Sequence, residues 1–526
     1  MNHMSSLNDM LMNLDGALNA GKLSLAIELG TSLVGQHPDS QHGWLSFSEA
    51  CRLSGDTQKA RDAAEKAWLL QPVALFAIAQ YARCLIPYAD HRLISRLIND
   101  AISIEADNEW AFGTLASCAV AIDEWTVALQ LYERLLGSNP ANPHYRYMQG
   151  LALSVLGESD QALEALEKIR QDPDFVGRVL NLIQDIDPGK ISQQELEKAI
   201  ASQRPRASND AVYALQALGR LHHAHRSFTD AFSCWQRAND LKCATVKYRP
   251  DEWQVFADQI MKLIEPGGRS DTRPELVDKA PIFIVGLPRS GTTLLERILV
   301  NSGKVAALGE LRDFEVLLQM HQGLPVTPMP FAIKRDAVER LDWQLIGKAY
   351  QDRIASRDAS SRRPCDKNPF NFLFSGLILS AMPEAQIIHI KKHPMDAGLG
   401  NFRHIFAAAA PWSYRLDDIA HFYSLYEKVM AYWAAMFPDQ IYQIYYDDLV
   451  SAPPAQSEKL FEWLNLPWKE DVLNTSGRGG IVRSASANQV RAPIHKQSVQ
   501  VWRNYVPELT PLHDALVRAG IIQTQE

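Results

Sequence analysis

Laid on a ruler of 34 residues, the first part of the chain falls into phase: Ala26, Ala60, Ile94, Ala128 and Ala162 share one position, and Pro38, Pro72, Ala106 and Pro140 another. A recurring small residue lets two helices approach closely, and a recurring proline closes a helix that it cannot continue. One unit shows the logic in full. From Gln41 onward, Trp44 opens a first helix, Gly55-Asp56 makes the turn, Ala60, Ala64 and Ala67 line a second helix, and Pro72 ends it. Weaker copies carry Phe112, Tyr132 and Pro140, then Gly150, Gly157 and Ala162. After an out-of-phase insertion around 172–206, a further copy at 210–241 carries Gly219, Ala231, Trp235 and Ala238. Such a unit can bury its apolar face only against its neighbours, which restricts this part to an all-α stacked array.

The pattern resembles the tetratricopeptide repeat and implies a solenoid of about six helical hairpins, with a concave face that could hold a peptide. Its aromatic residues Trp44, Trp68, Trp110, Trp125, Tyr132 and Trp235 are expected between helices rather than on a ligand. We assign the solenoid to 1–246 and a connecting helix with a polar linker to 247–279. A second domain then occupies 280–526, and no catalytic constellation precedes it.

Composition bounds the function. A chain of 526 residues exceeds one ordinary core, and 53 Lys plus Arg against 61 Asp plus Glu give a net charge of −8, which argues against a nucleic-acid binder. The six cysteines are scattered without C-x-x-C or zinc spacing and read as reduced core thiols, and no metal is expected. The first residues lack a basic segment followed by an apolar one, and no run of 18 apolar residues occurs, so no membrane span and a cytoplasmic address are expected.

The chemistry begins at Pro281-Ile-Phe-Ile-Val-Gly-Leu-Pro-Arg-Ser-Gly-Thr-Thr-Leu-Leu-Glu-Arg-Ile-Leu299, which reads as buried strand, glycine-bounded loop and helix start. A loop so placed points backbone N–H groups and the positive helix end at an anion. Gly286 to Gly291 matches a phosphate loop, G-x-x-x-x-G-K-S/T, except that Thr292 replaces the lysine and Arg289 lies inside the loop. Without that lysine, nucleotide hydrolysis or a P-loop kinase is disfavoured.

This string closely resembles the loop by which sulfotransferases hold the 5′-phosphosulfate of 3′-phosphoadenosine 5′-phosphosulfate (PAPS), with the tyrosylprotein branch the best match. The resemblance covers about 281–511. It implies that Arg289, Ser290, Gly291, Thr292, Thr293 and Leu294 hold the 5′ end of the donor, and that Glu310, at the end of the helix after the loop, is the catalytic base. Lys367, in the turn Asp366-Lys-Asn-Pro-Phe370, is implied to stabilise the sulfonate, as is Ser486. Lys392, closing the strand that starts at Gln386, stands where the family binds the 3′-phosphate; Gly400 occupies the place of a family serine, so Lys391, Asn401 or Arg403 must compensate. His389 and His393 raise the alternative of a histidine base, used by another branch. Tyr446, at the end of the strand from Gln440, and Arg503 are implied nucleotide contacts, whereas Val501 stands where some relatives carry a cation.

The expectation is therefore multidomain: an all-α tetratricopeptide solenoid followed by an α/β, P-loop-like parallel-sheet sulfotransferase domain. That domain would move the sulfonate of PAPS to a hydroxyl, peptidyl tyrosine being one acceptor, and release 3′,5′-adenosine diphosphate. A peptide or protein acceptor could dock on the array, and a homodimer is the second partnership open to it. The rival reading is a non-catalytic scaffold with a degenerate nucleotide domain, encouraged by Gly400 and Val501.

Overall fold

The computed structural model describes residues 6–202, 208–264, 280–334, 336, 340–357, 362–406, 410–474 and 493–523. The chain forms two compact units, Met1–Ala152 with Val316–Phe331, and Leu153–Glu315 with Ala332–Glu526.

The first unit is a series of antiparallel helix pairs: Leu7–Asn19 with Leu23–Gln36, Gln41–Ser54 with Thr57–Leu70, Leu75–Leu85 with His91–Ile102, and Glu109–Ala121 with Trp125–Ser138. Ala26, Ala60, Ile94 and Ala128 are all fully buried, so the residues that set the ruler are the ones over which helices cross. The same period governs the turns. Backbone φ is positive at Gly21 (68°), Gly55 (85°), Ala89 (51°), Asp123 (61°) and Gly157 (91°), each 34 residues after the last. Ser40, Asp56, Asp90 and Asn108 cap the helices that follow them, accepting from the amides of Gly43, Lys59, Leu93 and Ala111. Trp68 stacks on Tyr81 with ring centroids 5.5 Å apart, as inter-helix packing requires, whereas Trp110 stacks on Phe76 at 5.2 Å with both rings exposed. The returning segment Val316–Phe331 is held here through a cluster of Val316 and Val326 with Tyr88 and Ala89.

Among the described residues the second unit is built on five parallel strands: β1 (Ile282–Gly286), β2 (Val305–Ala307), β3 (Arg363–Asp366), β4 (Gln386–Lys391) and β5 (Ile441–Tyr445). Their order is β2-β3-β1-β4-β5, and every residue of the central β1 is buried, as a parallel strand covered on both faces must be. β1 pairs with β4 from Ile282↔Gln386 to Gly286↔Ile390, which brings the ends of both strands level where the phosphate loop begins.

Hydrophobic patterning reveals β1, β4 and β5 but not β2 or β3. β2 has three residues, and β3 reads Arg-Pro-Cys-Asp, with a buried Arg363 that donates to the Ala280 carbonyl at 2.7 Å, the Leu464 carbonyl at 2.9 Å and Gln386 Oε1 at 2.7 Å. That arginine knits the amino-terminal edge of the sheet, a role no periodicity announces.

Helices Val176–Ile186, Ser208–Ala224, Phe228–Cys243 and Pro250–Met261 belong to the same unit as the sheet. Phe232 stacks on Phe402 at 5.0 Å, Asn239 Nδ2 donates to the Phe402 carbonyl at 2.8 Å, and Tyr248 shares a 2.7 Å hydrogen bond with His421. Trp235 is buried, and a Cβ on Gly219 would come within 2.3 Å of its Nε1, which explains the glycine. All six cysteines are free, and among the described residues no helix is long and apolar enough to cross a membrane.

Candidate active site

At the carboxyl end of β1 the chain turns through Leu287-Pro-Arg-Ser-Gly291 into the helix Thr292–Asn301. Gly286 is needed because a Cβ there would lie 2.5 Å from the Ile390 carbonyl on β4. Gly291 is needed twice over, since its φ is 99° and its Cβ would lie 2.3 Å from Cδ2 of Tyr446. Ser290 turns inward and its hydroxyl donates to the Leu287 carbonyl at 2.7 Å, which closes the loop on itself. Asn401 Nδ2 donates to the Pro288 carbonyl at 3.0 Å and tethers the loop to the helix Pro394–Phe402.

Beside this loop lies an open cavity of about 730 Å³, mouth included, lined by Arg289, Thr292, Thr293, Lys392, Arg403 and Tyr446 among others. Arg289, Lys392 and Arg403 bring three cationic side chains to this one cavity. Burial, with Arg403 beside it, pushes the Arg289 guanidinium down to about 10, against the opposing pull of Tyr446 and Asp185. Burial likewise pushes Lys392 down to about 8, although Asp396 works to restore it, and lowers Arg403. Asp396 spends its carboxylate on the amides of Gln500 at 2.6 Å and Trp502 at 3.0 Å. Buried cations gathered at one loop suit an anionic ligand.

The neighbouring strand carries a second constellation. Lys367, following β3, has a side chain 1% exposed, and its Nζ donates to Glu310 Oε1 at 2.6 Å, while the Glu310 side chain is 50% exposed. Burial opposes the lysine's charge, but the Glu310 and Glu296 carboxylates outweigh it and hold the ammonium above its usual pKa. Glu310 is not at a helix end, as the sequence reading has it. The helix stops at Asn301, β2 follows, and Glu310 lies in the loop before the helix Asp313–His321, because Ser302-Gly303 breaks the helix and frees Val305–Ala307 to pair with Arg363–Cys365.

The structure thus gathers Arg289, Gly291, Thr292, Thr293, Leu294, Lys392 and Tyr446 around one cavity, and sets Glu310 on Lys367 at the adjoining strand end. Tyr446 starts the helix Tyr446–Ser451 rather than ending β5, and its ring lies 4.7 Å under Lys392 Nζ. Arg503 is exposed over the Trp502 ring at 4.9 Å and is not a lining residue, and Ser486 lies outside the described residues. Of the compensating groups, Arg403 lines the cavity; Lys391 pairs with Glu427 at 2.7 Å and Asn401 holds the loop. A Cβ on Gly400 would meet only Arg289 Cβ, at 3.4 Å.

The histidines serve the scaffold. His389 is buried against the Tyr426 hydroxyl, with burial pushing it down to about 3, and His393 caps a helix and stacks on Trp502 at 5.4 Å. Sequence reasoning missed Pro493, Ile494, His495 and Ser498, which complete the lining and carry no motif.

The sheet order, the glycine-bounded loop and the cation cluster define an anion-binding site of P-loop-like type. Comparison with known proteins narrows the class. Residues 281–470 match the model described as "Sulfotransferase family", and residues 114–174 match a tetratricopeptide repeat model. The chain therefore carries an amino-terminal tetratricopeptide-like helical array and a carboxyl-terminal parallel-sheet sulfotransferase domain. An uncharacterized protein of Aquifex aeolicus (strain VF5) is 28% identical over 421 residues, 70% of this chain and 54% of that protein. Protein-tyrosine sulfotransferase 2 of Gallus gallus is 23% identical over 238 residues, 43% of this chain and 64% of that protein. The chain thus spans between 54% and 64% of the length of these curated relatives. Among solved structures, the sulfotransferase domain from the Synechococcus PCC 7002 olefin synthase covers 45% of this chain and 91% of its own, at 20% identity and a TM-score of 0.32.

Proposed function

We propose that this protein transfers the sulfonate of PAPS to a hydroxyl, with Glu310 as general base and Lys367 as the electrostatic partner of the transferring group. The observation that carries the reading is the 2.6 Å pair between buried Lys367 and half-exposed Glu310, at the carboxyl end of the strand next to β1. The donor brings an activated sulfonate on a 5′-phosphate and a 3′-phosphate for recognition. The chain's residues fit it, because Arg289, Lys392 and Arg403 supply three cations around the cavity, and Gly291 leaves room for the Tyr446 ring that lines it.

Glu310 lies against the Lys367 ammonium with half its side chain open to solvent, where its carboxylate can accept the proton of an incoming hydroxyl. As it does so, its hold on Lys367 weakens, and the ammonium's N–H donors turn to the charge developing on the leaving oxygen. Thr292 and Thr293 place hydroxyls and backbone amides at the helix start, suited to a 5′-phosphate. Peptidyl tyrosine is the acceptor class we favour, supported by the tyrosine-sulfotransferase relatives and by the repeat array that could present a peptide.

The test is transfer of label from ³⁵S-PAPS to a poly(Glu,Tyr) copolymer by the full chain. We expect Glu310→Gln to lower kcat by about 10²- to 10⁴-fold, the usual span of general-base catalysis, with nucleotide affinity retained. Undiminished transfer by Glu310→Gln would remove the base assignment.

A further inference from the structure

Three consecutive side chains at the carboxyl end of β3 grip the Glu310 loop. Asp366 Oδ1 accepts the Leu311 amide at 3.3 Å, Lys367 Nζ holds the Glu310 carboxylate at 2.6 Å, and Asn368 Nδ2 donates to the Leu311 carbonyl at 2.7 Å. Backbone bonds lead into the grip: the Leu308 amide donates to the Cys365 carbonyl at 2.9 Å, and the Lys367 amide to the Gly309 carbonyl at 3.0 Å. Where the β2–β3 ladder runs out, side chains continue it and end on the residue next to the base.

We propose that Asp366 is a positioning residue: by accepting the Leu311 amide it fixes the adjacent Glu310 against Lys367 in the orientation that proton abstraction needs. This rests on the sulfotransferase reading of Glu310 and goes beyond it.

The chemistry explains why a carboxylate stands there. Three donors converge on Asp366: the Leu311 amide, the Tyr350 hydroxyl at 2.8 Å and Asn371 Nδ2 at 3.0 Å. Only an acceptor-only group satisfies all three as they stand, whereas an asparagine would turn an NH₂ toward donors. The charge is expensive to keep in this place. Burial, reinforced by the Asp313 carboxylate, pushes the Asp366 carboxyl up to about 7 against the hydrogen bonds of Tyr350, Leu311 and Asn371. A residue needed only to fill space would not carry that cost. Tyr350 and Asn371 therefore act as supports that aim the carboxylate, and Asn368 closes the clamp on the other side of Leu311.

The test uses the full chain with Asp366→Asn and, because a buried substitution can impair folding, Asn368→Ala as a second variant. Each is made alone and in a Glu310→Gln background. Measured are kcat for transfer from PAPS to poly(Glu,Tyr), Kd for 3′,5′-adenosine diphosphate, and hydrogen exchange at the Leu311 amide. We expect kcat to fall about 10- to 100-fold, the cost of a misplacement near 1 Å, with Kd within about twofold. Leu311 should exchange faster, and neither variant should slow the Glu310→Gln protein further. Multiplicative losses in that background, a Kd that weakens with kcat, or unchanged Leu311 exchange would overturn the proposal. Failure of the wild type to transfer sulfonate would contradict the sulfotransferase reading instead, and Leu311 exchange would then decide the clamp by itself.

Discussion

At the scale of residues, the site is a balance of charges that wait for a ligand. Burial holds Arg289, Lys392 and Arg403 below their ordinary pKa, and repulsion from Arg403 adds to it at Arg289 and Lys392. Lys392 reaches about 8, which places its titration within experimental reach. The sign follows from linkage: an anion that prefers the protonated lysine binds fully below this pKa and loses affinity as pH rises through it. Because the ligand's phosphates are already ionised above about pH 7, the change between pH 7 and 9 belongs to the protein. We expect Kd for 3′,5′-adenosine diphosphate to weaken about tenfold over that interval, and Lys392→Arg to flatten the dependence in a calorimetric titration. A wild-type affinity that is flat from pH 7 to 9 would take Lys392 out of the anion site.

At the scale of elements, the 34-residue period does more than space the helices, since it puts a left-handed turn at Gly21, Gly55, Ala89, Asp123 and Gly157. Ala89 holds φ at 51°, where a Cβ costs roughly 1 kcal/mol. Ala89→Gly should therefore stabilise the array by up to about 1 kcal/mol in chemical denaturation, less what glycine adds to the entropy of the unfolded chain. A loss of stability would mean that the burial of the Ala89 methyl against Tyr88, Val316 and Val326 outweighs the relief.

How much of the molecule the sequence discloses follows the same division. Repeats, β1, β4, β5 and the phosphate loop are legible because each has a period or a fixed spacing. β2 and β3 are not, because a three-residue strand and the string Arg-Pro-Cys-Asp have neither, and missing them is what puts Glu310 on a helix end. Residue roles inside the loop are equally silent. Nothing in Arg-Ser-Gly-Thr-Thr says that Ser290 closes the turn while Arg289 and the threonines face the cavity.

At the scale of the whole molecule, the sulfotransferase sheet is not self-sufficient within its unit. Phe232 and Asn239 cover Phe402, while His223 hydrogen-bonds the Tyr505 hydroxyl at 2.6 Å and Trp253 packs edge-on to Phe422 at 5.2 Å. A chain cut to 280–526 would expose these aromatic faces, at a cost of up to about 1.5–3 kcal/mol for each side chain fully uncovered. We expect that fragment to lack a cooperative thermal transition and to bind a hydrophobic dye; a melt matching that of the intact chain would show the helices to be dispensable. The central claim, that the cationic cavity holds a 3′-phosphorylated adenine nucleotide, is tested most directly by isothermal titration of the full chain. The ligands are 3′,5′-adenosine diphosphate, 5′-AMP and ATP with magnesium, against wild type and Arg289→Ala. The account predicts that the 3′-phosphate improves affinity at least about tenfold, as one or two charge-assisted hydrogen bonds should, and that Arg289→Ala abolishes the binding. Equal affinity for 5′-AMP, tighter binding of ATP with magnesium, or indifference to Arg289 would contradict it.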